Sequence, residues 1–204
     1  MSKIKICGLR RMEDILTVNE ILPDYIGFVF AKSARQVNDE TAEKLKSALN
    51  HHIKAVGVFV NDSIDHIVRL YDKNVIDLIQ LHGDEDPEYI HQLKKKVSCP
   101  VIKALRIQSA EDIHQGKVYE CEYMLLDTYS SHQYGGSGEA FDWTMITQMR
   151  KPFFLAGGIG IDNVEKAIHM LNPYCVDVSS KVETDGWKDP NKMREIIDKI
   201  RNLS

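Results

Sequence analysis

The 204-residue chain carries 26 basic and 30 acidic residues, a net charge of −4, with 43% hydrophobic and 27% charged residues. That balance excludes a coiled coil, a collagen-like repeat and a disulfide-dense module, and it offers no global attraction to nucleic acid or an anionic membrane. The four cysteines, Cys7, Cys99, Cys121 and Cys175, are irregularly spaced without a CxxC pair, so reduced thiols are expected rather than a disulfide framework or structural zinc.

The first residues run straight into a short apolar strand, with no long hydrophobic leader before it. No stretch reaches the roughly 18 apolar residues of a membrane span. A cytoplasmic protein without membrane or nucleic-acid partners is expected. In chain order, short apolar runs at 3–8, 25–30, 54–60, 75–81, 101–105, 123–127, 153–156 and 174–178 read as strands. Most are rich in Val, Ile and aromatic residues and poor in charge, as parallel strands covered on both faces should be. Mixed-polarity segments at 12–19, 39–49, 63–71, 87–96, 109–114, 142–149, 162–170 and 189–201 read as the intervening helices. Asp39, Ser63 and Asp162 are candidate caps, and Pro87, Pro152 and Pro173 mark boundaries. Eight strand-plus-helix units of about 25 residues fill the length and predict one α/β domain over 1–204, a closed (β/α)8 TIM barrel. An open doubly wound sheet would usually have fewer strands.

Catalytic groups of such a barrel project from the C-terminal ends of the strands. Cys7 stands at the first, followed by glycine, with Lys3 and Lys5 supplying positive charge nearby in sequence. A thiol with an ordinary pKa of about 8.5 acts as a base near neutrality only with electrostatic help or through its minor thiolate population. Asp127 ends the sixth strand, before a polar loop containing Gly135, Gly136, Ser137 and Gly138, which is expected to close over a substrate. Cys7 and Asp127 together offer a base and an acid.

Gly157 and Gly158 after the seventh strand, and Ser179 and Ser180 after the eighth, suggest phosphate recognition. Small residues expose backbone N–H groups, hydroxyls add donors, and the loops after strands seven and eight are a recurring phosphate site. Arg35, beyond the second strand, is a candidate carboxylate anchor because its guanidinium makes two directed hydrogen bonds. Lys103 and Arg106 form a less specific basic pair. The eight histidines form no metal-ligand pattern, and His82, near an apolar strand end, reads as a hydrogen-bonding residue; no metal is expected.

Ten motifs, KICGL (5–9), GFVF (27–30), VGVFVN (56–61), QLHGD (80–84), KALR (103–106), LDT (126–128), GGSG (135–138), FDW (141–143), LAGGI (155–159) and DVSSKVE (177–183), span the chain in order. By them the sequence resembles the phosphoribosylanthranilate isomerases of tryptophan biosynthesis. The resemblance implies a cofactor-independent (β/α)8 enzyme that carries out an Amadori rearrangement of a phosphorylated small molecule, N-(5-phosphoribosyl)anthranilate. It implies Cys7 as base and Asp127 as acid, Arg35 on the anthranilate carboxylate, and Gly158, Ser179 and Ser180 around the phosphate. Two departures stand out: Ser33-Ala34-Arg35 lacks a frequent central proline, and Lys181 occupies a position where glycine is common. Competing expectations are another phosphate-dependent barrel, such as indole-glycerol-phosphate synthase or a phosphoribosyl-formimino isomerase, and a noncatalytic phosphometabolite binder. A monomer or a weak homodimer is expected.

Overall fold

A computed structural model describes residues 2–128, 142–146 and 149–203. Eight parallel strands close into a barrel in sequence order: β1 (Lys3–Cys7), β2 (Tyr25–Val29), β3 (Lys54–Phe59), β4 (Leu78–Leu81), β5 (Val101–Ile107), β6 (Tyr123–Thr128), β7 (Phe153–Leu155) and β8 (Cys175–Val178). The ring shuts where β1 pairs with β8, in a register that sets Lys5 beside Asp177. Among the described residues, the helices are α1 (Met12–Ile21), α2 (Asp39–Ser47), α3 (Ile64–Asp72), α4 (Pro87–Lys94), α5 (Ala110–Gln115), α6 (Val164–Leu171) and α7 (Pro190–Asn202).

The alternation of a strand explains two separate cores. One set of side chains points outward and joins the helices in a large apolar shell that includes Ile6, Phe28, Phe59, Leu126 and Leu155. The opposite set fills the barrel, where Tyr25, Val56, Leu78, Ile102, Ala104, Leu125, Phe154 and Cys175 form an apolar plug. The Phe154 ring lies 5.5 Å from those of Tyr25 and Tyr123.

Local chemistry places the helices. The Ser63 hydroxyl accepts from His66 N at the start of α3, and Asp86 accepts from Tyr89 N while Pro87 occupies the first turn of α4. Asp189 and Pro190 repeat that arrangement at α7. The cap of α2 is Asn38 rather than Asp39, its carboxamide accepting from Thr41 N; α6 begins after Asn163 rather than Asp162. The fourth strand starts at Leu78, because Val75 N still bonds to Leu70 O and Asn74 takes a left-handed φ of 57°.

The described residues of the helix expected over 142–149 form no α-helix. The described residues there make one 3-10 turn, Trp143–Met145, with Thr144 N donating to Asp142 Oδ1. Ile146 leaves the helical region at ψ 88°, and Trp143 is committed to the core. Thr and Ile also give this stretch low helix propensity.

An unexpected element follows β8. Strands β9 (Glu183–Thr184) and β10 (Trp187–Lys188) form an antiparallel hairpin, with Asp185 and Gly186 at φ 51° and 77° in the turn. An Asp-Gly pair between two strand formers is the usual signal for such a turn, and it stands in this sequence.

No helix among the described residues is long and apolar enough to cross a membrane. Phe154 is fully buried at the centre of the plug. Phe154→Ala should cost about 3–5 kcal/mol, read as a shift of the urea midpoint.

Candidate active site

The C-terminal ends of the strands enclose a cavity of about 520 Å³. Cys7, Asp127, Arg35, Gly157, Gly158, Ser179 and Ser180 all line it, so residues from five different connections meet at one place. Residues 135–138 lie outside the described part of the chain. Lys181 is exposed and does not reach the cavity wall.

The floor of the cavity is polar. Lys5, wholly buried two residues before Cys7, donates to Asp177 Oδ2 at 2.7 Å and to Gln80 Oε1 at 2.8 Å. Gln80 Nε2 lies 2.8 Å from His82 Nδ1, and His82 Nε2 lies 3.2 Å from Asp127 Oδ2. The other Asp127 oxygen accepts from Thr128 N at 2.8 Å. A continuous hydrogen-bonded line therefore crosses the barrel from β8 through β1 and β4 to β6.

Charge in this layer is concentrated by burial. Loss of water pulls the Lys5 ammonium down, but Asp177 and Cys7 more than offset it, and Lys5 is held above its ordinary value. Burial pushes the Cys7 thiol up, against the opposing pull of Lys5 and Lys188. Neutral thiol is thus the dominant form at pH 7. The thiolate, once formed, is the stronger base for its raised pKa.

Close approach imposes glycine at two positions. A Cβ on Gly27, the register partner of Cys7, would stand 2.6 Å from its sulfur. Gly157 has φ +78°, and a Cβ there would meet Thr128 Oγ1 at 2.3 Å and Thr128 N at 2.7 Å. The Gly157 turn is therefore packed directly against the strand end that carries Asp127. The Ser179 hydroxyl donates to Cys7 O at 3.0 Å and ties the last strand end to the first. Asn163 holds the Gly-rich loop from the other side, donating to Gly158 O and accepting from Gly160 N.

Arg35 is engaged within the chain. Its Nε and Nη2 each donate at 2.8 Å to one oxygen of Glu183 on the hairpin. This side-on fork uses two of the five guanidinium N–H groups. Lys188 reaches across to Glu183 Oε1 at 2.7 Å and Ser179 O at 2.9 Å. Burial pushes the Glu183 carboxyl up, but Arg35 and Lys188 outweigh it and hold it below the usual carboxylate range.

The sequence profile of the N-(5'phosphoribosyl)anthranilate (PRA) isomerase family matches residues 4–199. The chain belongs to this family. An N-(5'-phosphoribosyl)anthranilate isomerase from Endomicrobium trichonymphae is 51% identical over the full length of both chains, and one from Lachnoclostridium phytofermentans is 46% identical over 96% of this chain and 95% of its own. The crystal structure of the phosphoribosyl anthranilate isomerase from Thermotoga maritima superposes with a TM-score of 0.89 at 34% identity, covering 99% of this chain and all of its own. A phosphoribosyl anthranilate isomerase in complex with reduced 1-(o-carboxyphenylamino)-1-deoxyribulose 5-phosphate gives 0.85 at 31% identity, with the same coverage. A 3-hexulose-6-phosphate synthase gives 0.75 at 15% identity and shares the fold alone.

Several residues in and beside this isomerase's cavity escape a strand-by-strand reading. Gln80 and His82 stand in the QLHGD motif, yet nothing local says that one will receive Lys5 and the other Asp127. Asp177 opens the DVSSKVE motif and Glu183 closes it; their partners come from β1 and from the loop after β2. Lys103 instead faces away from the cavity, donating to Gly83 O and Glu85 Oε2 at 2.7 and 2.8 Å outside the barrel wall. Among the described residues no group of three or more His, Cys, Asp and Glu could hold a metal ion.

Because Glu183 is held below its ordinary value, the stability it contributes is full above the unfolded pKa of about 4.3 and is lost as pH falls through the lower folded value. The difference in urea midpoint between the wild type and Glu183→Gln should therefore be widest near neutrality and narrow as the pH drops below about 4.

Proposed function

We propose that the chain converts N-(5'-phosphoribosyl)anthranilate to 1-(2-carboxyphenylamino)-1-deoxyribulose 5-phosphate, a step of tryptophan biosynthesis, by an acid–base Amadori rearrangement. The observation that carries this reading is the meeting of Cys7 and Asp127 in one cavity, from strands three places apart around the ring. A sugar carbon and its ring oxygen can lie between groups so placed, each within reach of its own proton-transfer partner.

In this reading Asp127 gives its proton to the furanose ring oxygen. The bond from that oxygen to C1' breaks as the anthranilate nitrogen lone pair forms a C=N bond. The Cys7 thiolate then takes the C2' proton, and the electrons released give an enolamine, which tautomerises to the 2-keto product. The proton lost by Asp127 and the one gained by Cys7 leave the net composition unchanged. C2' is oxidised to the ketone as C1' is reduced within the one molecule, so the balance needs no external oxidant or reductant.

In this reading the binding groups are Arg35 and the two small-residue loops. Arg35 takes the anthranilate carboxylate on its Nη1 edge while Glu183 keeps the opposite edge. The backbone amides around Gly157, Gly158, Ser179 and Ser180 take the phosphate, whose charge small residues allow to approach closely. Ser179 acts through its backbone, since its hydroxyl is used on Cys7 O.

Purified protein should consume the fluorescent substrate and yield the ketose product; a folded, substrate-binding sample without turnover would defeat the proposal. Cys7→Ala and Asp127→Asn should each lower kcat by about 10²–10⁴-fold with smaller changes in KM, read by single-turnover fluorescence. Because the Cys7 thiol is raised by burial, kcat/KM should climb with pH to a midpoint above the ordinary thiol value of about 8.5. Arg35→Lys, which keeps the charge and loses the fork, should raise KM about tenfold with kcat within about twofold.

A further inference from the structure

The line of hydrogen bonds from Lys5 to Asp127 has a direction that follows from donor chemistry alone. An ammonium only donates. Lys5 Nζ lies 2.8 Å from the Gln80 amide, so the atom facing it is the carbonyl oxygen, and the Gln80 NH₂ group must face the other way. That NH₂ lies 2.8 Å from His82 Nδ1, which must therefore accept and carry no proton. A neutral imidazole with a bare Nδ1 bears its proton on Nε2, the atom 3.2 Å from Asp127 Oδ2.

We propose that Gln80 and His82 are positioning residues for Asp127: a chain of fixed polarity, begun at Lys5, locks His82 as the neutral Nε2–H tautomer and makes it an obligate donor to Asp127 Oδ2. A proton on His82 Nδ1 would set two donors against each other at 2.8 Å. The consequence for catalysis rests on Asp127 being the acid. When its proton leaves for the ring oxygen, the new carboxylate already has His82 Nε2–H on one oxygen and Thr128 N–H on the other. No solvent or side chain need reorganise at that moment, and preorganised donors of this kind are the main source of electrostatic stabilisation in a closed site.

Among the described residues, the titratable groups facing this line are Asp127 on β6, Lys5 on β1 and Asp177 on β8, with Cys7 and Cys175 near Lys5. Lys5 lies 2.7 Å from Asp177, so its charge is balanced from β8 and Gln80 is left to carry orientation.

The direct test is a two-bond proton–nitrogen correlation spectrum of the substrate-free wild type at pH 8. The expected result is His82 with its proton on Nε2 and a bare Nδ1; a proton on Nδ1 would overturn the proposal. Gln80→Glu replaces the NH₂ donor by an acceptor and should put a proton on Nδ1. Its kcat should fall by about tenfold or more, below the roughly 10²–10⁴-fold worth of the acid itself, with KM within about twofold and an altered pH profile of kcat. A folded Gln80→Glu protein that keeps the wild-type tautomer and pH profile would also sink the idea. Should that variant not fold, the wild-type spectrum decides alone. Wild-type protein with the expected tautomer but no turnover would refute the assigned reaction and leave the polarity of the chain standing.

Discussion

An ammonium group sealed inside a barrel can be tolerated only if acceptors surround it, and Lys5 organises the catalytic face on those terms. Its side chain is fully buried, its register partner across the closing seam is Asp177, and Gln80 completes its surroundings. A buried ion pair of this sort is weak evidence for stability, since desolvation consumes much of the attraction. Its value here is orientation. Lys5 decides which way the Gln80 amide points, and its charge lies next to the sulfur two residues further along the same strand.

The barrel is thus divided along its axis. Phe154, Tyr25 and their neighbours fill the lower part with apolar contacts, and the upper part is a layer of charge and amide groups. Water-excluded apolar packing below strengthens the electrostatics above, because the same charges interact more strongly in a medium of low polarizability. A second buried lysine, Lys103, shows how strongly strand parity governs function. It follows Ile102 and precedes Ala104, both interior, so it faces outward and fastens Gly83 and Glu85 in the loop that follows β4. Glu85 in turn accepts from Asn61 N, and the loops after β3 and β4 are held together behind the cavity wall.

The hairpin after β8 does the corresponding work on the other side. Glu183 and Lys188 stand opposite each other in its register and join Arg35 to the loop that carries Ser179. Arg35 is therefore a held side chain rather than a free surface arginine. Outside the hairpin, Arg10 and Arg11 stack on Trp187 at 3.8 and 4.6 Å, which seats the hairpin against the loop after β1.

Periodicity in the chain was enough to mark the eight barrel strands, and motif residues at strand ends were enough to nominate Cys7, Asp127, Arg35 and the two small-residue loops. Those readings depend on local features: which face of a strand is apolar, where charge appears at its end, where glycine interrupts. The 142–149 segment shows their limit, because helical spacing does not oblige Trp143 and Ile146 to form a helix when packing of the indole ring into the apolar shell and a 3-10 turn compete with it. Sequence order also could not pair Lys5 with Gln80, 75 residues away, or with Asp177, 172 residues away. Those partners are chosen when β1 meets β8 and the ring closes, because closure fixes the register of every strand at once and only then do alternate side chains from distant segments face one another.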